Sequence, residues 1–119
     1  MPFTSILKDL TASIGARGAI MLDHDGEMVA SYCEHPGTEI DLVGAHHAII
    51  FNIIKDISAA TKPVNRIKNA VITTSGGRLA VCSIKEGYCL VVAMDRSVNE
   101  GKAVFESNRA ILMLEEEMG

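Results

Sequence analysis

Two adjacent histidines, His46 and His47, are the residues whose type best suits metal binding or proton transfer. They interrupt a long apolar segment, residues 40–60, whose spacing predicts a helix. Neighbours on a helix point about 100° apart, so the two rings cannot bind one ion together. We therefore expect each histidine to lie in the core or in an interface, with its nitrogens bonded to backbone or to a partner chain.

The stretch DHDG, which contains Asp23 and Asp25, imitates part of a calcium-binding loop. The spacing of an EF-hand would place Met21 and Tyr32 at two of the ligand positions, where neither residue supplies the side-chain ligand that the loop needs. The DG pair instead predicts a tight turn between two strands. The stretch CEH, residues 33–35, offers two soft ligands, but the sequence has no second pair at zinc spacing. We expect no bound metal.

Motifs of catalysis and nucleotide binding are absent from the sequence, which contains no GxxxxGK[ST], no GxGxxG and no GxSxG. The three cysteines, Cys33, Cys82 and Cys89, form no CxxC pair, and their odd number predicts free thiols in a reducing compartment. We expect no cofactor and no active site in this chain. The protein is therefore not predicted to be an enzyme in its own right.

The composition indicates one globular domain, residues 1–119, with an aliphatic core, because 48% of the residues are hydrophobic and only 4% are aromatic. The net charge of −4, with acidic and basic residues mixed, argues against binding to nucleic acid. No apolar run approaches the ~18 residues of a membrane span. The first residues also lack the pattern of a signal peptide. We therefore expect a cytoplasmic protein without membrane contact.

Three segments show helical periodicity. The first, FTSILKDLTASI, has Thr4 or Ser5 as its predicted N-terminal cap and Gly15 as its stop. The second is the long apolar segment, which should end shortly before Pro63 because the residue before a proline is disfavoured in a helix. The third opens with the capping-box pattern S-x-x-E at residues 97–100.

Five short apolar segments predict β-strands, two before the long helix and three after it, separated by the turn signals DG, SGG and KEG. Several strands are apolar at successive positions, which indicates a sheet covered on both faces. The order α-β-β-α-β-β-β-α predicts an α+β fold, a three-layer sandwich around a five-stranded antiparallel sheet. The long helix is expected on one face and the two terminal helices on the other.

The long helix is apolar over more of its circumference than a sheet-packed helix in a monomer needs. Most of its apolar residues fall within an arc of about 140°, and Phe51 and Ile40 extend that arc towards about 200°, against the little over ~100° that is usual. The excess flank, near Val43 and Ile54, predicts a contact with a second copy of the chain about a two-fold axis. The alternative is that loops or terminal helices of the same chain cover it.

With these elements in place, the chain resembles the roadblock family. The resemblance is carried by GARGAIMLDHDGEMVAS, which contains the pattern G-A-x-x-x-D-x-D-G-x-x-V-A. It continues through the long helix, the three-strand block that ends in YCLVVAM, and the last helix with Glu100-Gly101 near its start. It covers almost the whole chain and is closest in character to bacterial MglB-like members.

The resemblance implies a homodimer in which the long helices pack together and the third strands, residues 67–74 here, pair edge to edge. The residues predicted for this interface lie on the long helix or on that strand: Ile40, Val43, His47, Ile50, Phe51, Ile54, Ile57, Ile67, Asn69, Val71 and Thr73. The family's recurring partners are small Ras-like GTPases. Solvent-facing positions of the long helix are the predicted partner-binding residues: Asn52, Lys55, Asp56 and Ala59.

Three functions are compatible with the sequence. The resemblance implies a homodimeric regulatory module that binds a small Ras-like GTPase and stimulates its hydrolysis of GTP without inserting an arginine. A scaffold or adaptor subunit with no effect on nucleotide turnover is the second hypothesis. A small-molecule sensor is the third and needs a ligand-sized cavity, which small aliphatic residues do not favour.

Overall fold

The computed structural model describes residues 2–34, 44, 49, 51–53, 55, 56 and 68–119. Five strands form one antiparallel sheet in the order β2-β1-β5-β4-β3, which confirms the predicted fold class. The strands are β1 Gly18–Leu22, β2 Met28–Cys33, β3 Asn69–Thr74, β4 Gly77–Ser83 and β5 Cys89–Met94. The N-terminal helix is Phe3–Ile14 and the C-terminal helix is Glu100–Met118. Residues 44, 49, 51–53, 55 and 56 are helical and are referred to as the central helix.

The N-terminal helix buries one apolar stripe, with Ile6, Leu7, Leu10 and Ile14 almost fully covered. Its first residue is Phe3, so the predicted cap at Thr4 or Ser5 is wrong: both residues lie inside the first turn, and Pro2 occupies the N-cap position. Proline suits the start of a helix because its backbone has no N–H to satisfy there. Gly15 ends the helix in the left-handed conformation, φ 74°, as predicted.

Asp23 organises the turn between β1 and β2. Its carboxylate accepts hydrogen bonds from the backbone N–H of Asp25 at 2.9 Å and of Glu27 at 3.0 Å. Gly26 takes the positive φ of 83° that the turn requires. The DHDG stretch is therefore a hairpin turn, as predicted, and its first acidic side chain is occupied by the turn itself.

The C-terminal helix begins at Glu100, and its N-cap is Asn99, whose side chain accepts a hydrogen bond from the backbone N–H of Lys102 at 2.9 Å. The predicted capping box is therefore wrong, because Ser97 lies in the preceding turn, two residues before the cap. An asparagine side chain serves the N-cap as well as a serine does.

Each face of the sheet carries its own core. The terminal helices cover one face, where a cluster includes Leu7, Leu90 and Leu114. On the other face, Phe51 of the central helix packs against Ile20 and Val91. The predicted sandwich, with the terminal helices opposite the long helix, is confirmed for the residues that the structure describes.

Candidate protein-binding surface

One side of the central helix is fixed to the sheet by Gly44 and Phe51. A Cβ atom at Gly44 would lie 2.8 Å from the Cγ2 atom of Ile20, so the helix backbone approaches the sheet too closely for any larger residue to fit without displacement. Phe51 is 2% exposed. Lys55 lies on the same side: its Nζ atom donates to Ser83 Oγ at 3.2 Å and is 5.7 Å from the centre of the Phe51 ring.

Two isoleucines, Ile49 and Ile53, lie on the opposite side of this helix. Each is two residues from Phe51, which on a helix rotates its side chain about 160° away from the core. Each is 54% exposed, and their spacing of four residues makes them neighbours on one face. Asn52 is half-buried and Asp56 is exposed beside them. The result is an apolar pair with a polar rim, which is typical of a protein-binding surface.

The edge strand β3 supplies a second surface, through its backbone. In the described part of the chain β3 pairs with β4 and no strand lies beyond it. The backbone N–H of Ser83 donates to Lys68 O at 2.7 Å, which identifies that cross-strand pair as hydrogen-bonded. Hydrogen-bonded and non-hydrogen-bonded pairs alternate in an antiparallel ladder, so the N–H and C=O groups of Asn69, Val71 and Thr73 point away from β4. Such a row of outward groups is a template for pairing with another strand.

The side chains of β3 divide between the two faces of the sheet. Ala70 and Ile72 pack on the cluster that contains Phe51, so they share the face of the central helix. Asn69, Val71 and Thr73 alternate with them and therefore point to the face of the terminal helices. The side chains of Asn69, Val71 and Thr73 therefore lie on the opposite face of the sheet from Phe51. What Asn69, Val71 and Thr73 present at the edge is their backbone.

The predicted site residues are distributed unevenly. Phe51 belongs to the core of the protomer, and Lys55 is bonded to the sheet, so neither side chain is directed outward. Asn52 and Asp56 flank the exposed isoleucines. The other predicted residues lie outside the described part of the chain: Ile40, Val43, His47, Ile50, Ile54, Ile57, Ile67 and Ala59. His46 also lies outside it.

The sequence did not predict that Ile49 and Ile53 are exposed, because both fall inside the broad apolar arc. Gly44 was the available signal. A glycine in a helix interior costs helical stability and often marks a close backbone approach. Gly44 and Phe51 are seven residues apart, close to two full turns, so the two together indicate the side that faces the sheet. The exposed isoleucines follow as the opposite side.

Two of the thiols are unsuited to nucleophilic chemistry at neutral pH. Burial raises the pKa of Cys82 to about 11 and that of Cys89 to about 11, so both are protonated. Among the described residues, no three His, Cys, Asp or Glu side chains come together as a metal-binding group.

Three arginines are held by partners within their own chain. Arg17 Nε donates to Asp95 at 2.8 Å. Arg78 donates to the backbone oxygen of Val98 at 3.1 Å, and Arg109 pairs with a glutamate on its own helix. These contacts fix the guanidinium groups at the ends of the sheet and on the C-terminal helix, away from the exposed isoleucine pair.

Two open grooves are present on the described surface. One, of about 290 Å³, runs between the terminal helices and is lined by residues that include Ile6, Leu10 and Met113. The other, of about 330 Å³, lies beside the turn Lys85–Gly87 and is lined by Lys55 and Lys68 among others. Both are surface depressions, whereas a sensor domain encloses its ligand.

Comparison with known proteins finds a family that matches the sequence and solved structures that match the fold. The model of the Roadblock/LC7 domain matches residues 3–94. Myxococcus xanthus MglB superposes with a TM-score of 0.85 at 16% identity, covering 98% of this chain and 94% of that one. The Roadblock/LC7 domain from Streptomyces avermitilis gives 0.85 at 15% identity, covering 97% and 96%. An MglB with a tetrameric arrangement gives 0.84 at 20% identity, covering 96% and 85%.

At these identities the structural likeness concerns the fold alone. A comparison with curated protein sequences finds no significant match. Within the described residues, no helix is both long enough and apolar enough to cross a membrane.

Proposed function

Because the chain belongs to the Roadblock/LC7 family, we propose that it is a homodimeric regulatory module that binds a small Ras-like GTPase and stimulates its GTP hydrolysis. The observation that carries the proposal is the exposed pair Ile49 and Ile53, on the side of the central helix that faces away from its own sheet. Each of these two isoleucines leaves about half of its side chain in contact with water. A partner that covers this apolar area would stabilise the complex by about 1 kcal/mol per isoleucine.

The β3 edge is the proposed dimer contact. Pairing of the β3 edges of two protomers would satisfy the outward N–H and C=O groups of Asn69, Val71 and Thr73 and join the two sheets into one. The flank of the long helix predicted from sequence, with Val43 and Ile54, is proposed to pack against its copy above that joint. The exposed isoleucines of both protomers would then form one platform for a single GTPase.

Stimulation of hydrolysis on this platform would not use an arginine of the long helix, because residues 40–60 contain none. The partner's own catalytic groups would instead be held in their productive arrangement by contact with the central helices. Fixing mobile catalytic groups lowers the barrier by removing orientational freedom before the reaction. A contact surface without an active site is sufficient for that role.

Two proline substitutions test the dimer. Val71→Pro removes an N–H that points away from β4, so the protomer should fold while the edge loses a donor and gains steric bulk. Ile72→Pro removes an N–H bonded within the sheet and should destabilise the protomer itself. Light scattering should give a dimer for the parent and a folded monomer for Val71→Pro. An unchanged mass for folded Val71→Pro would refute pairing through β3.

Single-turnover hydrolysis by a Ras-like GTPase from the same organism tests the regulatory part. The parent should increase the rate, and the double variant Ile49→Asp and Ile53→Asp should not. Leu112→Asp is the matched control, since Leu112 is 68% exposed on the C-terminal helix, which covers the other face of the sheet. Binding of the GTPase without any change in its hydrolysis rate would favour the scaffold function. If the double variant stimulated hydrolysis as much as the parent, the assignment of the GTPase contact to Ile49 and Ile53 would be refuted.

A further inference from the structure

The strand β2 forms the second edge of the sheet. Within the described residues its only neighbour in the sheet is β1. Its sequence, MVASYC, contains no charged residue and no proline, which commonly protect an exposed edge from pairing. Met28 is 50% exposed and Val29 is 39% exposed. The strand therefore offers an apolar edge on which another extended chain can pair.

The cross-strand hydrogen bonds show which backbone groups of this edge point outward. At one end the N–H of Asp23 donates to Glu27 O at 2.9 Å. At the other end the N–H of Glu34 donates at 2.7 Å to the carbonyl oxygen of the residue before β1. Glu27 and Glu34 therefore face β1. Because the orientation alternates along an antiparallel strand, the N–H and C=O groups of Met28 and Ser31 point away from β1.

A β-bulge at Val29 places two carboxylates on one face. Glu27 and Glu34 are seven residues apart, but the positions opposite them, 23 and 17, are six apart, because Val29 has no partner in β1. Side chains alternate between the faces with a period of two, so positions six apart share a face. A regular strand beside β2 therefore reaches both carboxylates with side chains six residues apart, a span of about 20 Å.

The charge of this edge is negative. The hairpin, residues 18–34, has no lysine or arginine and contains the acidic residues Asp23, Asp25, Glu27 and Glu34. Glu27 and Glu34 are both exposed. Tyr32 Oη donates to Glu34 Oε2 at 2.9 Å, which holds that carboxylate in place. Arg17, just before the hairpin, is paired with Asp95. Charge complementarity therefore favours a partner chain with basic residues.

We propose that the β2 edge binds an extended segment of another protein, which adds a strand to the sheet and carries two basic residues six positions apart. The basic side chains contact Glu27 and Glu34. Apolar side chains on the other face of the segment contact Met28, which lies opposite Leu22 and so shares the face of the central helix. In this mode of recognition the backbone hydrogen bonds give affinity and the side chains give specificity. Neither a GTPase nor pairing through β3 is required.

Two synthetic peptides of one composition test the proposal. Thr-Lys-Val-Thr-Val-Thr-Val-Lys-Thr has its lysines six positions apart, and Thr-Lys-Val-Thr-Val-Thr-Lys-Val-Thr has them five apart, on opposite faces. Hydrogen exchange followed by NMR should show that the first peptide protects the N–H groups of Met28 and Ser31 but not that of Val71 on β3. The second should bind about threefold more weakly, because one ion pair is lost.

Three outcomes of this experiment would overturn the proposal. Equal binding of the two peptides would remove the role of the two carboxylates. Protection of Val71 without Ser31 would place the peptide on the other edge. Protection of Ser31 that increases with protein concentration in the absence of peptide would identify a second copy of this chain as the occupant.

A charge reversal on the protein provides the matched control. Glu27→Lys combined with Glu34→Lys should reverse the preference, so that a peptide with glutamates in place of both lysines binds about fivefold more tightly than the lysine peptide. Ser31→Pro removes an outward N–H and should weaken binding by about fivefold, whereas Ser31→Val keeps that N–H and should bind like the parent. A double variant that still prefers the lysine peptide, or a folded Ser31→Pro that binds like Ser31→Val, would contradict the assignment of this edge.

Discussion

The two sides of the central helix should respond differently to the same kind of substitution. Phe51→Ala removes a ring that is 2% exposed and packs on Ile20 and Val91, and deletions of this type cost about 3–5 kcal/mol. The loss of the Lys55 ammonium over the ring adds a fraction of this. A domain of this size has about 5–15 kcal/mol of stability, so the loss is a large fraction of the total. The corresponding fall in melting temperature is roughly 10–20 °C.

Ile53→Ala is the matched substitution two residues away. Because Ile53 is 54% exposed, the protomer should lose less than about 1 kcal/mol. The affinity for the GTPase, by contrast, should fall by about tenfold, since the lost methyl groups lie in the proposed contact. Phe51→Ala should change affinity only as far as it unfolds the protein.

Urea unfolding followed by circular dichroism gives the free energy of unfolding of both variants. The series should be repeated at several protein concentrations, because any contribution from a dimer contact depends on concentration and the loss at Phe51 does not. Equal losses for the two variants at high dilution would refute the assignment of the two helix faces. A loss below about 1 kcal/mol for Phe51→Ala would refute it too.

Other predictions concern single features of the protomer. Asn99→Ala should cost about 1 kcal/mol by thermal unfolding and Ser97→Ala almost nothing, because Asn99 caps the C-terminal helix; the reverse order would restore the capping box. Gly77→Ala should lower the melting temperature markedly, since its Cβ would lie 2.6 Å from a backbone oxygen; an unchanged melting temperature would contradict this close approach. Folding keeps Cys82 and Cys89 protonated with pKa values near 11, so stability should be complete below pH 9 and fall between pH 9 and 11. A double alanine variant of both cysteines should show a shallower fall, and an identical pH dependence would contradict burial as the cause.

The architecture followed from sequence because local signals agreed with one another. The DHDG turn between β1 and β2 and the end of the N-terminal helix at Gly15 were both predictable from residue type and spacing. The positions of the N-terminal helix caps were harder to predict. Thr4, Ser5 and Ser97 are all residue types that cap helices well, and the backbone that leads into each helix decides which residue is used.

The surface was harder to predict than the fold. The apolar arc of the long helix is so broad that it does not predict which part faces the sheet. Ile49 and Phe51 are both large apolar residues, so residue type alone does not show which of them is buried. Contact with Ile20 and Val91 decides the matter, and that contact depends on residues far apart in sequence. The exposed face of the C-terminal helix was likewise hidden, since Phe105 and Leu112 look like core residues until the opposite stripe is seen to be buried.

The claim that this protein binds a small GTPase through its central helix is tested most directly by affinity capture from the lysate of its own organism. Tagged parent protein and the Ile49→Asp, Ile53→Asp variant should be compared, each with GDP and with a non-hydrolysable GTP analogue, and the captured proteins identified by mass spectrometry. We predict that a Ras-like GTPase is recovered by the parent mainly with the GTP analogue and is lost from the variant. Recovery of no GTPase in either nucleotide state, or equal recovery by parent and variant, would contradict the account.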